Sequence, residues 1–198
     1  MISEKFVIFG AVLGLIGSFS YIKGTIQGRV KPNRATWFVI SLAPMLAVAG
    51  EINKGVGLRS LVTFMSGFIP LLIFLASFVN KKSYWQLKKF DYICGSLAIV
   101  GLILWKLSGE GNVAISFAIF ADFIAFFPTL RKAYTHPHTE DYVVFATGIV
   151  AVCIGLLVID SWYFANWAFP LYLLVMDSLM VYFVGVRPAL LKTNNQDS

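Results

Sequence analysis

Charged residues are scarce in this chain, and long apolar runs take their place. Only 13% of the 198 residues are Asp, Glu, Lys or Arg, whereas 58% are hydrophobic. A soluble domain of this size has too small a core to bury so many apolar side chains. The composition therefore excludes an ordinary soluble domain and predicts a membrane protein.

Cysteine and histidine are also rare, with two of each. Cys94 and Cys153 fall inside apolar runs without metal-ligand spacing, so we expect them to be packing residues. His136 and His138 flank a proline, which matches no structural zinc spacing, so we expect a solvated turn. No nucleophile with a neighbouring base and no phosphate-binding loop can be assembled from the runs. The sequence therefore predicts no enzyme, no cofactor and no metal site.

Seven apolar runs predict an all-α membrane protein with seven transmembrane helices. A spanning helix needs about 20 apolar residues, with a range of about 17 to 25, so the fourth run is short and the second is marginal. The runs are too long and continuous for the strands of an outer-membrane barrel. The predicted spans are Phe6–Ile22, Ala35–Gly50, Ser60–Asn80, Tyr92–Trp105, Gly111–Leu130, Tyr142–Ile159 and Ser161–Val186.

The basic residues are distributed unevenly between the two sides of these spans. Twelve of the 16 Lys and Arg residues follow the first, third, fifth and seventh runs. Because basic connections stay in the cytoplasm, the N-terminus is predicted outside and the C-terminus inside a cell membrane of the bacterial inner-membrane type. The net charge of +6 is thus explained by topology, and no nucleic-acid partner is expected.

Two stretches share one layout at an offset of 105 residues. They read SFSYIKGTIQGRVKPNRATW over 18–37 and ADFIAFFPTLRKAYTHPHTEDY over 121–142. In each, an apolar run ends, basic residues and a proline follow, and an aromatic residue stands near the start of the next run. The shared layout predicts an internal repeat.

A second correspondence, at an offset of 100, aligns Pro70 with Pro170 and Ser77 with Asp177. Because the fourth helix crosses once between the copies, both copies have the same orientation. We therefore predict two parallel three-helix repeats joined by a linker helix, a 3+1+3 layout. The predicted boundaries are 1–82 for the first repeat, 83–110 for the linker, 111–190 for the second repeat and 191–198 for a polar cytoplasmic tail.

Two acids, Asp122 and Asp177, lie well inside apolar runs. Each costs about 2.5 to 3.5 kcal/mol at the bilayer centre, so neither is expected to face lipid. Counted back from Arg131 and Arg187 at about 1.5 Å per residue, they lie roughly 13 to 15 Å deep and can share one cavity. No Lys or Arg lies in a span to neutralise them. A proton, a cation, a polar solute or a hydrogen bond to a neighbouring helix remains as their partner.

The layout resembles the PQ-loop superfamily and, within it, the SWEET sugar transporters, which are a known example of parallel repeats. The resemblance covers nearly the whole chain but is motif-specific only at Pro128-Thr129, which stands where the family has Pro-Gln. Lys23 and Gly24 occupy the corresponding place in the first copy, so one of the usual proline hinges is missing there. The motif continues with Arg131, Lys132, Pro137 and a helix starting near Tyr142.

The resemblance implies a transporter of a small polar solute that works by alternating access, with its site at the midplane. Prolines bend helices and are the expected hinges. The expected solute-binding residues are Asp122, Asp177, Ser77 and Phe126. The expected hinge residues are Pro70, Pro128 and Pro170.

Three alternatives stay open: a sugar facilitator, a proton-coupled carrier similar to cystine and cationic amino-acid exporters, and a non-transporting receptor or assembly protein of the same fold. A cavity that reaches both acids would favour transport. A closed bundle in which the acids bond to neighbouring helices would favour the last alternative. The expected partners are the lipid bilayer, a small polar solute and, in a coupled carrier, protons; self-association is left open.

Overall fold

The computed structural model of the protein describes residues 6–53, 58, 60–108, 111–159 and 162–194. Across these ranges the secondary structure is helical, with turns between the helices. The helices are α1 (Phe6–Ile26), α2 (Arg34–Asn53), α3 (Ser60–Ala76), α4 (Lys89–Leu107), α5 (Gly111–Thr135), α6 (Val143–Leu157), α7 (Phe164–Val181) and α8 (Arg187–Asn194). A short 3₁₀ turn, Pro137–Thr139, lies between α5 and α6, and a π-helical turn, Tyr182–Val186, joins α7 to α8.

Three of these helical stretches are long and apolar enough to cross a membrane, namely Phe6–Ile26, Lys89–Leu107 and Asn166–Thr193. Two shorter helices, Thr63–Ala76 and Val143–Leu157, are apolar as well. Many large apolar side chains point outward, as expected where lipid is the solvent. The all-α class is confirmed for the described residues, and the helices indicate a membrane protein. The seven crossings and the orientation stay predictions.

The connections α1–α2, α3–α4 and α5–α6 meet the end of α7 at one end of the bundle, which we call the basic end. There the Lys31 N–H donates to the Thr139 carbonyl at 2.9 Å, and the Trp85 N–H donates to the Pro32 carbonyl at 3.1 Å. Arg187, the first residue of α8, bonds to a carbonyl in the last turn of α5. The twelve basic residues that follow the odd-numbered runs lie in these connections, in the helix turns beside them or in α8. Consecutive helices therefore run in alternating directions.

The helices pack as two similar groups. In the first group, α3 packs against both α1 and α2; in the second, α7 packs against both α5 and α6. The groups meet along α1–α6 and α2–α5, and α4 lies against α5 and α2. Parallel repeats would produce this pattern, although the 3+1+3 layout and its boundaries remain predictions.

Most helix ends differ from the sequence prediction by a few residues, and two of the differences have a polar cause. Helix α4 begins before Tyr92, because Asp91 Oδ2 accepts the Lys88 N–H at 2.6 Å and caps an additional first turn. Helix α3 ends earlier than predicted, at Ala76, where the Arg34 guanidinium bonds to the Ser77 carbonyl.

The prolines of the apolar runs all lie inside helices that continue past them. Each removes one N–H donor from its helix, which weakens the hydrogen-bond ladder at that turn. The four positions are Pro44, Pro70, Pro128 and Pro170. The predicted hinges thus have the required placement, and their motion stays a prediction.

Candidate functional site

Asp122 and Tyr172 form a polar contact inside the second group. Tyr172, on α7, donates its hydroxyl hydrogen to Asp122 Oδ2, on α5, at 2.8 Å. The surroundings on both helices are apolar, so the bond satisfies an acid that has few other polar neighbours. The sequence prediction identified Asp122 but missed Tyr172, because one tyrosine among many aromatic residues carries no distinguishing signal.

Asp177 lies in the same region, on the face of α7 that meets α6. A methyl group on Gly148 of α6 would collide with Asp177 Oδ2, so only a bare backbone allows this approach. Asp177 and Asp122 are within electrostatic range of each other. Among the described residues, neither acid forms an ion pair. Asp122 is hydrogen-bonded to Tyr172, whereas Asp177 packs against the backbone of Gly148.

A small cavity lies beside Asp122, between α2, α4, α5 and α7. Its volume is about 10 Å³, and about 10 to 15 Å³ holds one water molecule. Asp177 does not line it. The cavity is lined by Val39, Leu102, Ala118, Ala121, Asp122 and Phe169. This cavity is therefore too small for a solute and does not reach both acids.

Phe126 lies one helical turn from Asp122, toward the basic end, and is buried. It packs with Tyr21, Trp37 and Phe145 in what we call the aromatic layer. The Phe145 ring centroid lies 6.1 Å from Phe126, 6.4 Å from Tyr21 and 6.3 Å from Trp37. Helices α1, α2, α5 and α6 each contribute one ring. The aromatic layer therefore fills the interface between the two groups, on the side of the acids that faces the basic end.

A buried ion pair lies beyond the aromatic layer, at the basic end. Lys132 Nζ is 2.5 Å from Glu140 Oε1, and at most 1% of either side chain is exposed. Tyr21 donates its hydroxyl hydrogen to Glu140 Oε2 at 2.6 Å, and Trp37 Nε1 donates to the Tyr21 oxygen at 3.2 Å. Lys132 Nζ also donates to the Lys31 carbonyl. We call this cluster the charged layer.

Sequence reasoning predicted a solvated turn around His136 and His138, and Glu140 and Asp141 lie beside these histidines. Glu140 and Asp141 follow a proline and precede an apolar run, a pattern typical of exposed connections. The burial arises because Tyr21, far away in the chain, reaches into the turn. The sequence around the two histidines and the two acids gave no indication that Glu140 pairs with Lys132.

Ser77 lies at the basic end and not beside the acids. Its hydroxyl oxygen accepts a hydrogen bond from Arg34 Nε at 2.9 Å. Asp177 lies ten residues before Arg187, which at about 1.5 Å per residue puts it roughly 15 Å further inside. The surroundings of Ser77 and Asp177 differ because α3 ends at Ala76, whereas α7 continues past Asp177 to Val181. The role of Ser77 in a solute site stays a prediction.

Replacing Tyr172 by Phe is expected to lower stability by about 0.6 to 1.7 kcal/mol, the average and the largest value measured for hydrogen bonds between membrane helices. The variant keeps the ring and removes only the donor to Asp122. Thermal unfolding in detergent measures the effect. Tyr163→Phe is the control, because Tyr163 is 75% exposed. Equal losses in both variants would contradict a structural bond to Asp122.

Comparison of the chain with protein-family models, with curated proteins and with solved structures finds no match in any of the three.

Proposed function

We propose that this protein is a multi-pass membrane carrier for a small polar solute and works by alternating access. The first and second groups would act as the two parallel repeats, with α4 as their linker. By the distribution of basic residues, the basic end would face the cytoplasm. The proposal is carried by Asp122 and Asp177, which lie inside apolar helices within electrostatic range of each other. Acids in such a setting are costly and typically belong to solute or proton pathways.

The two acids favour a proton-coupled carrier over a plain sugar facilitator. A sugar offers only neutral hydroxyls, which need no pair of carboxyl groups. Two carboxyl groups within electrostatic range of each other, with no ion pair among the described residues, suit a site that exchanges a proton or binds a positive group of the solute. Phe126 would form the floor of this site, on the side of the basic end.

The barrier toward the basic end also supports alternating access. The aromatic layer and the charged layer lie between the acids and that end, so the site is closed on this side. A carrier needs such a barrier on one side at a time. Pro70, Pro128 and Pro170 would allow the helices to bend when the barrier opens.

One observation favours a second candidate, a non-transporting receptor or assembly protein. The cavity beside Asp122 holds about one water molecule, and Asp122 is bonded to Tyr172. A protein that uses its acids only to hold helices together needs no more than this. The two candidates differ in whether a solute crosses the membrane.

Solute flux into proteoliposomes tests the proposal. Wild type, Asp122→Asn and Asp177→Asn are assayed with a panel of sugars and amino acids, with and without a pH gradient. We expect gradient-dependent flux that falls about tenfold or more in either variant, equivalent to about 1.4 kcal/mol or more on the barrier. Ser178→Ala is the control, because the exposed Ser178 hydroxyl bonds only within its own helix.

The outcomes separate the alternatives. Flux that ignores the gradient and survives both Asp→Asn substitutions would identify a facilitator and remove the acids from the mechanism. If no solute of the panel crosses although wild type and variants unfold cooperatively at similar temperatures, transport is rejected in favour of the receptor or assembly role.

A further inference from the structure

The charged layer joins the two groups of helices. Tyr21 belongs to α1, and its partner Glu140 follows α5. Lys132 of α5 donates to the carbonyl of Lys31, which lies between α1 and α2. Opening the basic end between the groups would have to break both contacts.

Asp141 adds further contacts of the same kind. Ser20 of α1 donates its hydroxyl hydrogen to Asp141 Oδ2 at 2.7 Å, and Arg29 Nη2 lies 3.7 Å from the same oxygen. Asp141 Oδ1 accepts the N–H of Val143, at the start of α6. Asp141 therefore ties α1 and its following turn to the helix on the other side of the interface.

Opening of the basic end would require hydration of the ion pair. Lys132 and Glu140 belong to the same group, so they stay paired and neutralise each other when the groups separate. Glu140 would then lose the hydroxyl of Tyr21, and Lys132 would lose the carbonyl of Lys31. Because buried charged groups that lose hydrogen bonds are costly, water has to enter and replace both contacts.

Two buried hydroxyl groups without hydrogen-bond partners also favour an opening of the basic end. Thr25 of α1 and Thr129 of α5 are fully buried, and within the described residues their Oγ1 atoms have no hydrogen-bond partner. Thr25 lies one turn from Tyr21, and Thr129 lies one turn from Lys132. An unpaired buried hydroxyl destabilises the closed state, whereas water entering the open state would satisfy both groups.

We propose that Tyr21, Lys132 and Glu140, together with Asp141, are a gate that closes the acid site toward the basic end. When the two groups separate there, water reaches Thr129. The gate would serve the proposed transport function, and the proposal rests on that function. Opening of the gate can nevertheless be measured without a solute.

A cysteine at position 129 reports on the gate. Thr129→Cys is introduced after Cys94 and Cys153 have been replaced by Ala, and the rate of labelling by a water-soluble maleimide is measured in nanodiscs. Labelling is expected to be slow while the gate is closed. Ala98→Cys is the control reporter, since Ala98 is buried where α4 packs against α2 and α5, away from the gate.

Two gate variants are combined with each reporter. The first, Tyr21→Phe/Lys132→Met/Glu140→Gln, removes both buried charges together, so no bare charge disturbs folding. The second, Ser20→Ala/Asp141→Asn, changes fewer buried groups and can still be measured if the first variant fails to fold. We expect the first to raise labelling at position 129 about tenfold or more, because the rate follows the open population, and the second to raise it less. Labelling at position 98 should not change.

No increase at position 129 in either variant would overturn the gate, and so would an equal increase at position 98, which reports general loosening. Flux in proteoliposomes keeps this outcome separate from the function. If flux occurs while labelling does not respond to the variants, the gate is rejected and transport stands. If labelling responds but no solute crosses, the opening is real and transport is rejected.

Discussion

Lys132→Met is expected to lower the free energy of unfolding by about 3 to 5 kcal/mol, because it leaves Glu140 as a buried carboxylate without its cation. The side chains of both residues are almost completely excluded from solvent, so solvent does not screen the loss. The Tyr21 hydroxyl bond to Glu140 stabilises the acid only in part. Denaturant unfolding of the purified protein measures the change.

The neutral double variant Lys132→Met/Glu140→Gln should recover most of this loss. Replacing both members of a buried ion pair is often close to neutral, since the desolvation cost of both charges disappears with their attraction. Lys82→Met is the control for a lost positive charge, because Lys82 is exposed, and a change within about 0.5 kcal/mol is expected there. If Lys132→Met behaves like Lys82→Met, the ion pair does not hold the basic end together.

Gly17→Ala is expected to destabilise the protein by about 1 to 3 kcal/mol, a typical cost of forcing a group into a filled interface. A Cβ at Gly17 would lie 2.8 Å from Thr147 Cβ and 2.9 Å from Thr147 Cγ2. Helices α1 and α6 would have to move apart at the contact between the two groups. Thermal unfolding in detergent measures the effect.

Gly95→Ala is the matched control, because a Cβ at Gly95 meets no atom within 4 Å. The same glycine-to-alanine change on an apolar helix should leave stability near that of wild type. Thr147→Ala should partly rescue Gly17→Ala, since it removes the branch atoms of Thr147 that collide. A loss in Gly95→Ala as large as that in Gly17→Ala would show that the chemistry of the substitution, and not the α1–α6 contact, is responsible.

Helical class, membrane character and the two acids were all visible in the sequence. A helix long enough for a bilayer is a local property of about 20 consecutive residues, so apolar runs reveal it without tertiary information. Asp122 and Asp177 are visible for the same reason, because a charged residue inside such a run stands out wherever its helix packs.

The tertiary structure decided which partners these residues have. Tyr172 meets Asp122 across 50 positions of the chain, and Tyr21 meets Glu140 across 119. Such contacts depend on how each helix is rotated about its axis and where it ends. Membrane helices are apolar on most faces, so their sequence pattern indicates rotation weakly, and packing of small residues and polar contacts determines it. Ser77 lies at the basic end because α3 ends beside it, and its partner there is the Arg34 guanidinium of another helix.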